Sequence, residues 1–326
     1  MRKPVLAAIL LSWALSSCAA AAGDDDGEIF FPGPMTAQPA KSPEAVPVVI
    51  DTDLAPDDLA AIALLVRHPD VDVVGITVPT TGELTCVGLQ LLPDLFRGMR
   101  ASPPPVACGG SARGPEGLPF PQAWSMGAMQ HSGLVVDADP TPLTPSRLSS
   151  SELIARLARR HEGLHVVALG PLTDVARLLR RNPGAYRRLA GITSMAGSVD
   201  APSHAPGVAE WNAAADPVPF AQVLAGPVPV TVVPDDPVER GAPAGLRGPV
   251  VGSLGRDPAF ETPAYWDLAT AGVFISPDAA TVIPGTWEVD VTEDRGRLRR
   301  TGDGPVHVVT ALDPAALDRV YATAFG

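Results

Sequence analysis

The feature that most constrains the fold is an alternation of short β-branched runs with longer amphipathic stretches, which begins at Val46. The apolar runs are continuous rather than alternating with polar residues, as is typical of strands buried on both faces. Buried strands joined by helices predict an α/β protein with a doubly wound, mostly parallel, Rossmann-like central sheet. The predicted strands are 46–50, 71–78, 164–169, 192–195 and 228–233, and the predicted helices are 57–67, 84–96, 149–160, 172–181 and 216–224.

The C-terminal part of the chain has a different pattern. Three short β-rich runs, at 286–291, 297–301 and 306–310, predict a small antiparallel addition, and 313–324 predicts a final helix. In open α/β sheets, ligands bind beyond the carboxyl ends of the strands. The residues that follow the predicted strands are therefore the first candidates for a functional site.

The first residues have the pattern of an export signal. Two basic residues precede an apolar run at 5–15 that is too short to span a membrane as a helix. Leu-Ser-Ser-Cys at 15–18 resembles the lipobox of bacterial lipoproteins, in which the Cys becomes acylated. We predict a lipoprotein signal peptide at 1–17, a lipid anchor to the membrane at Cys18, a disordered acidic and proline-rich tether through 44, and one domain at 45–326.

The alternative is an ordinary secretory signal that is cleaved within the Ala-rich segment after Cys18, which predicts a secreted protein. Both interpretations export the protein, either to the cell envelope or beyond it. If Cys18 carries lipid, Cys86 and Cys108 are the remaining cysteines. In an oxidising compartment they form a disulfide or stay as buried thiols, and the sequence leaves both alternatives open.

The charge of the chain bears on its partners. The 36 acidic residues exceed the 24 basic ones, and the formal net charge is −12. A nucleic-acid-binding protein needs a basic face that neutralises phosphates. We therefore expect no nucleic-acid partner.

Four carboxylates follow the first predicted strand within eight residues: Asp51, Asp53, Asp57 and Asp58. Helix capping accounts for the last two, because a helix N-terminus favours acidic residues, but not for all four. Carboxylates this close repel one another unless a cation holds them, and hard cations such as Ca²⁺ prefer oxygen ligands. The segment therefore predicts a metal site at the edge of the sheet.

Two known loop patterns compare poorly with this segment. An EF-hand counted from Asp51 needs Gly and Glu where this chain has Pro56 and Ile62, so that pattern is excluded. A phosphatase of the haloacid-dehalogenase type also begins with Asp-x-Asp after a strand, but it continues with Thr or Val where this chain has Ala55. It remains an alternative.

The spacing of the cluster resembles the Asp-x-Asp-Pro-Gly-x-Asp-Asp signature of the calcium-dependent, inosine-uridine preferring nucleoside hydrolases. Further landmarks of that family follow in order over most of residues 46–275. They are 75–78, 105–110, Gly170-Pro171-Leu172-Thr173-Asp174, Met195-Ala196-Gly197, Glu210-Trp211-Asn212, Asp216-Pro217 and Trp266-Asp267. The chain is thus identified as a member of the family. The resemblance implies hydrolysis of the N-glycosidic bond of ribonucleosides to free base and ribose.

The resemblance also implies a role for each matching residue. Asp53 would be a Ca²⁺ ligand and the general base that activates water. Asp58, Asp267 and the backbone carbonyl of Leu169 would be further Ca²⁺ ligands. Asp57 would bind ribose hydroxyls, and Glu210 and Asn212 would bind the sugar. Family members are commonly dimers or tetramers, which implies a homo-oligomer.

One departure concerns the general acid. Trp266 stands where many family members have a His that protonates the leaving base, and an indole cannot donate a comparable proton, although it can stack on the base. His204 and His131, in predicted loops, are the candidates for an acid or a ligand contact. The competing hypothesis is a lipoprotein that binds nucleosides or sugars with Ca²⁺ but does not turn them over efficiently.

Overall fold

The computed structural model describes residues 38–110, 112–131, 143–239 and 265–325. The predicted signal peptide, Cys18 and most of the predicted tether lie outside the described residues, and so does the side chain of His131. Among the described residues, no helix has the length and apolar character to cross a membrane.

Within those ranges, one eight-stranded sheet organises the chain. The strands are β1 (Val46–Asp51), β2 (Val71–Val78), β3 (Val106–Cys108), β4 (His165–Ala168), β5 (Gly191–Met195), β6 (Val230–Val233), β7 (Ala280–Val289) and β8 (Leu298–Leu312). Their order is β3-β2-β1-β4-β5-β6-β8-β7, and only β7 runs antiparallel to its neighbour. The predicted mostly parallel α/β sheet is confirmed.

Helices cover both faces of the sheet. They are α1 (Pro56–Arg67), α2 (Leu92–Gly98), α3 (Gln122–His131), α4 (Ser150–Arg160), α5 (Thr173–Arg181), α6 (Pro183–Tyr186), α7 (Trp211–Ala215), α8 (Pro217–Leu224), α9 (Trp266–Ile275) and α10 (Pro314–Phe325). Local sequence explains several starts. A capping box of Ser149 and Glu152 opens α4, and α1 opens with Pro56, which lacks the N–H that a first helical turn leaves unpaired.

The core lies in two layers that the central strands separate. In β1, Val48 and Ile50 belong to the cluster that includes α1, α9 and α10, whereas Val49 faces the cluster of α4, α5 and α8. Successive side chains of a strand point to opposite faces, so β1 is apolar throughout because both faces are covered. This burial explains why the strand reads as a continuous apolar run.

The predicted helix at 84–96 is wrong as a single element. The chain forms a 3-10 helix over Thr85–Leu91 and then the short helix α2. Thr85 has a left-handed φ of 52°, and Cys86 forms a disulfide with Cys108 at the end of β3. A residue in the left-handed region does not continue a right-handed helix, so the segment does not form one regular α-helix. Of the two alternatives for the cysteines, the structure shows the disulfide.

The C-terminal addition also differs from its prediction. The runs predicted as two strands at 297–301 and 306–310 form one long strand, β8, which pairs with β7 through several register shifts. β8 also pairs in parallel with β6, through Thr231 and His307. The addition is therefore continuous with the central sheet, because β8 is long enough to serve both neighbours.

Residues 38–44, predicted as the end of the tether, lie against the C-terminal end of α1. Lys41 Nζ donates to the carbonyls of Val66 and His68 at 2.6 and 3.0 Å, and Ser42 N–H donates to the carbonyl of Pro69 at 2.8 Å. Lys41 satisfies carbonyls that a helix end leaves without intrahelical partners. These contacts associate the segment with the domain.

Candidate functional site

Asp53 lies just beyond the carboxyl end of β1, buried at 1% exposure. Its Oδ2 accepts the N–H of Glu83 at 2.7 Å, and its backbone carbonyl accepts the N–H groups of Leu84 and Thr85 at 3.1 Å each. Gly170 packs behind it, so closely that a Cβ there would lie 3.0 Å from Asp53 Cβ. The loops after β2 and β4 thus hold this carboxylate in place.

Three other carboxylates come together beside Asp53. Ligand atoms of Asp57, Asp58 and Asp267 all lie within 4.8 Å of one another. Asp57 and Asp58 belong to the first turn of α1, whereas Asp267 comes from the start of α9 and donates its backbone N–H to Asp57 Oδ2 at 3.4 Å. The side chain of Thr52 donates a hydrogen bond to Asp58. Packing of α1 against α9 therefore assembles the cluster.

The electrostatics of the cluster favour a cation. Burial raises the pKa of Asp53 and of Asp267 well above the usual range, and the nearby Asp58 carboxylate raises both further. Asp58 and Asp267 each have one buried carboxylate oxygen without a hydrogen-bond partner. Among the described residues, no Lys or Arg lines this pocket. Buried carboxylate oxygens without a counter-charge fit a hard divalent cation.

The predicted backbone ligand lies at the same pocket. Leu169 follows β4, donates its N–H to the carbonyl of Asp51 at 2.7 Å, and accepts the side-chain amide of Asn212 at 2.6 Å. A carbonyl oxygen has two lone pairs, so this bond leaves one for another partner. Asn212 therefore joins the end of β4 to α7 at the pocket wall.

Glu210 has a defined structural role in addition to its predicted contact with the sugar. It is the N-cap of α7, and its carboxylate accepts the N–H groups of Gly197, Asn212 and Ala213 at 2.8, 2.6 and 2.9 Å. Hydrogen bonds of this kind stabilise a carboxylate at a helix N-terminus. Burial nevertheless raises its pKa. Glu210 thus holds Asn212 and the loop after β5 in place.

An aromatic wall faces the carboxylates. Phe120, Trp124, Trp211 and Trp266 line the pocket, and the ring of Trp211 lies 5.5 Å from that of Phe120 and 5.4 Å from that of Trp124. Sequence reasoning identified Trp266 but missed the other three as a wall. The sequence offered one indirect signal, namely that aromatic residues are rare and make up only 5% of the chain. Three of the five tryptophans line this one pocket.

His204 lines the same pocket. Its Nε2 lies 3.0 Å from Oδ2 of Asp235, and its ring centroid lies 5.9 Å from that of Trp266. Sequence reasoning singled out His204 but missed Asp235, which no motif marked. The structure thus brings the predicted site residues to one pocket, namely Asp53, Asp57, Asp58, Leu169, His204, Glu210, Asn212, Trp266 and Asp267. Their chemical roles stay predictions.

The model of the inosine-uridine preferring nucleoside hydrolase family matches residues 48–319. The chain belongs to this family. Among curated nucleoside hydrolases, the pyrimidine-specific ribonucleoside hydrolase RihA of Salmonella arizonae is 30% identical over 190 residues, 57% of this chain and 59% of the relative. RihA of Citrobacter koseri is 31% identical over 192 residues, 58% of this chain and 59% of the relative. The chain thus spans less than two thirds of these relatives.

Solved nucleoside hydrolase structures share the fold over nearly their whole length. A purine-preferring ribonucleoside hydrolase from Gardnerella vaginalis superposes with a TM-score of 0.73 at 18% identity, covering 86% of this chain and 98% of its own. An inosine-uridine preferring nucleoside hydrolase from Bacillus anthracis gives 0.70 at 23% identity, covering 85% and 99%. Neither comparison supports a phosphatase of the haloacid-dehalogenase type.

Proposed function

We propose that this protein hydrolyses the N-glycosidic bond of ribonucleosides and releases free base and ribose, with water activated by Asp53. One observation carries the proposal: four carboxylates, from the loop after β1 and from α1 and α9, share a pocket with an aromatic wall. The carboxylates suit a reaction centre that becomes positively charged, and the aromatic rings suit the planar base of the same substrate. Family membership supports this assignment.

The chemistry assigns a distinct task to Asp53. Cleavage of an N-glycosidic bond passes through an oxocarbenium-like ribosyl cation that water attacks. A carboxylate beside that water accepts a proton as the water oxygen bonds to C1′. In the metal-free protein, burial and neighbouring negative charge raise the pKa of Asp53. The Glu83 N–H bond orients the carboxylate for this transfer.

We also propose Ca²⁺ as the resident cation. Asp53, Asp58, Asp267 and the carbonyl of Leu169 supply oxygen donors of the kind that Ca²⁺ prefers. When bound, Ca²⁺ would orient the water and the ribose hydroxyls and would favour the ionised carboxylates. Asp57, Glu210 and Asn212 would hold the ribose, and Trp266 would stack on the base.

The location of the protein is a further part of the proposal. The lipobox-like sequence implies export and a lipid anchor at Cys18. The Cys86–Cys108 disulfide is in keeping with an oxidising compartment. Intact-mass measurement of protein from the native membrane tests the anchor, since a mature chain that begins downstream of Cys18 contradicts it. Sedimentation of the same protein tests the proposed homo-oligomer.

The deciding experiment is hydrolysis of inosine, uridine and p-nitrophenyl riboside, with and without EDTA. We expect release of base or nitrophenol that EDTA abolishes and added Ca²⁺ restores. Asp53→Asn keeps the size of the side chain and its bond from Glu83, so its loss of activity would report the missing base rather than a collapsed loop. Asp278→Asn, at an exposed aspartate, is the matched control and should retain activity.

Three outcomes are distinguishable. Release of base or nitrophenol that persists both in EDTA and in Asp53→Asn would contradict the proposed mechanism. Calorimetry could instead show calcium-dependent binding of nucleoside without release of any of the three leaving groups. That result would establish the alternative of a protein that binds nucleosides but does not hydrolyse them. Neither release nor binding would contradict both assignments.

A further inference from the structure

His204 lies between two neighbouring cavities. One is the carboxylate pocket, and the other is a cavity of about 470 Å³ whose lining includes Trp124, His204, Asp235 and Trp266. Asp235 lines the second cavity but not the first, whereas His204 lines both. His204 is therefore a titratable group that the two cavities share.

Adjacent strands position the two residues. His204 lies in the loop after β5 and Asp235 in the loop after β6, and the N–H of Asp235 donates to the carbonyl of Gly197 at 3.1 Å. Both are largely enclosed, with side-chain exposures of 14% and 5%. With Nε2 bonded to Asp235, the ring orientation is set, and the second proton of the imidazolium lies on Nδ1, which is buried in this structure.

The charged groups around the imidazole are negative. Asp236 lies beside Asp235 and accepts the N–H groups of Val199 and Ala201 at 2.7 Å each. Glu210, at the start of α7, interacts electrostatically with His204. From α9, the neighbour is the neutral ring of Trp266. Among the described residues that line either cavity, His204 is the sole basic side chain. This environment favours a protonated imidazole.

The proposed reaction has a need that such a group meets. When the C1′–N bond breaks, its electron pair stays on the base, and the base leaves as an anion unless a proton arrives. Asp53 receives a proton from water and so acts on the other reactant. Trp266 has no transferable proton of comparable acidity. The other acidic groups that line the pocket are carboxyls, and His204 is the one imidazole among the described lining residues.

We infer that Asp235 is a positioning residue that holds His204 as the proton donor to the departing base. The inference rests on the proposed hydrolysis. As the C1′–N bond breaks, the proton of His204 Nδ1 passes to a base nitrogen, and water bonds to C1′ and gives a proton to Asp53. His204 then regains a proton from solvent and Asp53 loses one, so each turnover consumes one water and no other reactant.

The test compares leaving groups. Inosine needs a proton to release its base, whereas p-nitrophenolate leaves as a stable anion. We expect His204→Gln to lower kcat for inosine about 100-fold, within the usual range for a general acid, and kcat for p-nitrophenyl riboside less than about threefold. Asp235→Asn should show the same selectivity. His307→Gln, at an exposed histidine, is the control.

Two readouts separate positioning from a merely structural role. Asp235→Asn removes the negative charge that favours imidazolium, so the high-pH limb of kcat/KM for inosine should move to lower pH. In the His204→Gln background, Asp235→Asn should cause no further loss for inosine, because its effect passes through the imidazole. An additive loss would overturn the inference.

Three further outcomes would contradict either the inference or the proposed function. Equal losses for both substrates in His204→Gln would overturn the inference, since they would indicate binding or folding. A wild-type protein that cleaves p-nitrophenyl riboside but not inosine would also overturn the inference. The proposed role of Asp53 would not be affected. A wild-type protein that cleaves neither would refute the proposed function itself. Melting temperatures of the variants identify any that fail to fold, and His204→Asn then replaces His204→Gln.

Discussion

The backbone N–H of Glu83 donates to Oδ2 of Asp53 over 2.7 Å, and this bond joins the loop after β2 to the proposed general base after β1. The loop approaches closely because Gly82 adopts a φ of 128°, and a Cβ at that position would collide with the Asp53 carboxylate. Only glycine combines this conformation with this contact.

Gly82→Ala should therefore displace the Asp53 carboxylate. We expect kcat to fall on the order of 100-fold, because a catalytic group moved by about 1 Å loses its alignment. Gly163→Ala is the matched control: Gly163 also has a positive φ, 72°, but nothing lies within 4 Å of a Cβ there. Equal losses of activity in both variants would indicate backbone strain as the cause. They would contradict the explanation by a clash between the Cβ at position 82 and the Asp53 carboxylate.

Glu210→Gln should destabilise the protein. The carboxylate accepts three backbone N–H groups, and an amide in its place turns an NH₂ towards at least one of them. We expect the free energy of unfolding to fall by about 2 kcal/mol, the usual cost of leaving buried polar groups unpaired. Urea unfolding measures it, with the exposed Glu162→Gln as the control. Unchanged stability with a raised KM would instead indicate a contact with the sugar alone.

Reduction of the Cys86–Cys108 disulfide should destabilise the protein as well. The bond spans a sequence separation of 22 residues, and a loop of that length corresponds to about 3 kcal/mol of lost chain entropy in the unfolded state. Thermal unfolding with and without dithiothreitol measures the change. The Cys86→Ser, Cys108→Ser double variant should melt at one temperature whether or not the reductant is present. If dithiothreitol also lowered the melting temperature of the double variant, the change in the wild-type protein could not be assigned to the Cys86–Cys108 disulfide.

His165 predicts a pH dependence of stability. Burial lowers the pKa of His165 to about 4, and its ring packs 4.7 Å from that of Phe274. Between the unfolded pKa near 6.5 and the folded value, the unfolded chain binds more protons, so stability falls as the pH falls from about 6.5 to about 4. We expect a loss of about 2 kcal/mol after solvent screening.

Urea unfolding at pH 7 and pH 4.5 measures this loss. In His165→Gln the difference between the two pH values should shrink, because glutamine does not titrate. His307→Gln, at an exposed position, should keep the wild-type difference. If His165→Gln kept it as well, other groups would be responsible.

Local sequence patterns predicted most of the strands and helices. The strand predicted at 71–78 is β2 to the residue, because its short length and its β-branched residues favour a buried strand. The helix predicted at 149–160 is α4 preceded by its N-cap, Ser149, whose capping box with Glu152 is formed within four residues. The helix predicted at 84–96 failed where a disulfide and a left-handed residue act, and neither leaves a periodic signal.

The sequence by itself determined the α/β class and the acidic segment of Asp53, Asp57 and Asp58, since both rest on residues near one another in the chain. It also determined the family, because the landmarks keep their order over most of residues 46–275. The resemblance to the family predicted that Asp267 joins that segment. Only the tertiary structure showed that it does so through the packing of α9 against α1, that Trp124 and Trp211 form a wall, and that Asp235 supports His204. These contacts join helices and loops at the carboxyl edge of the sheet. They depend on how helices and strands pack, and no local pattern encodes that packing.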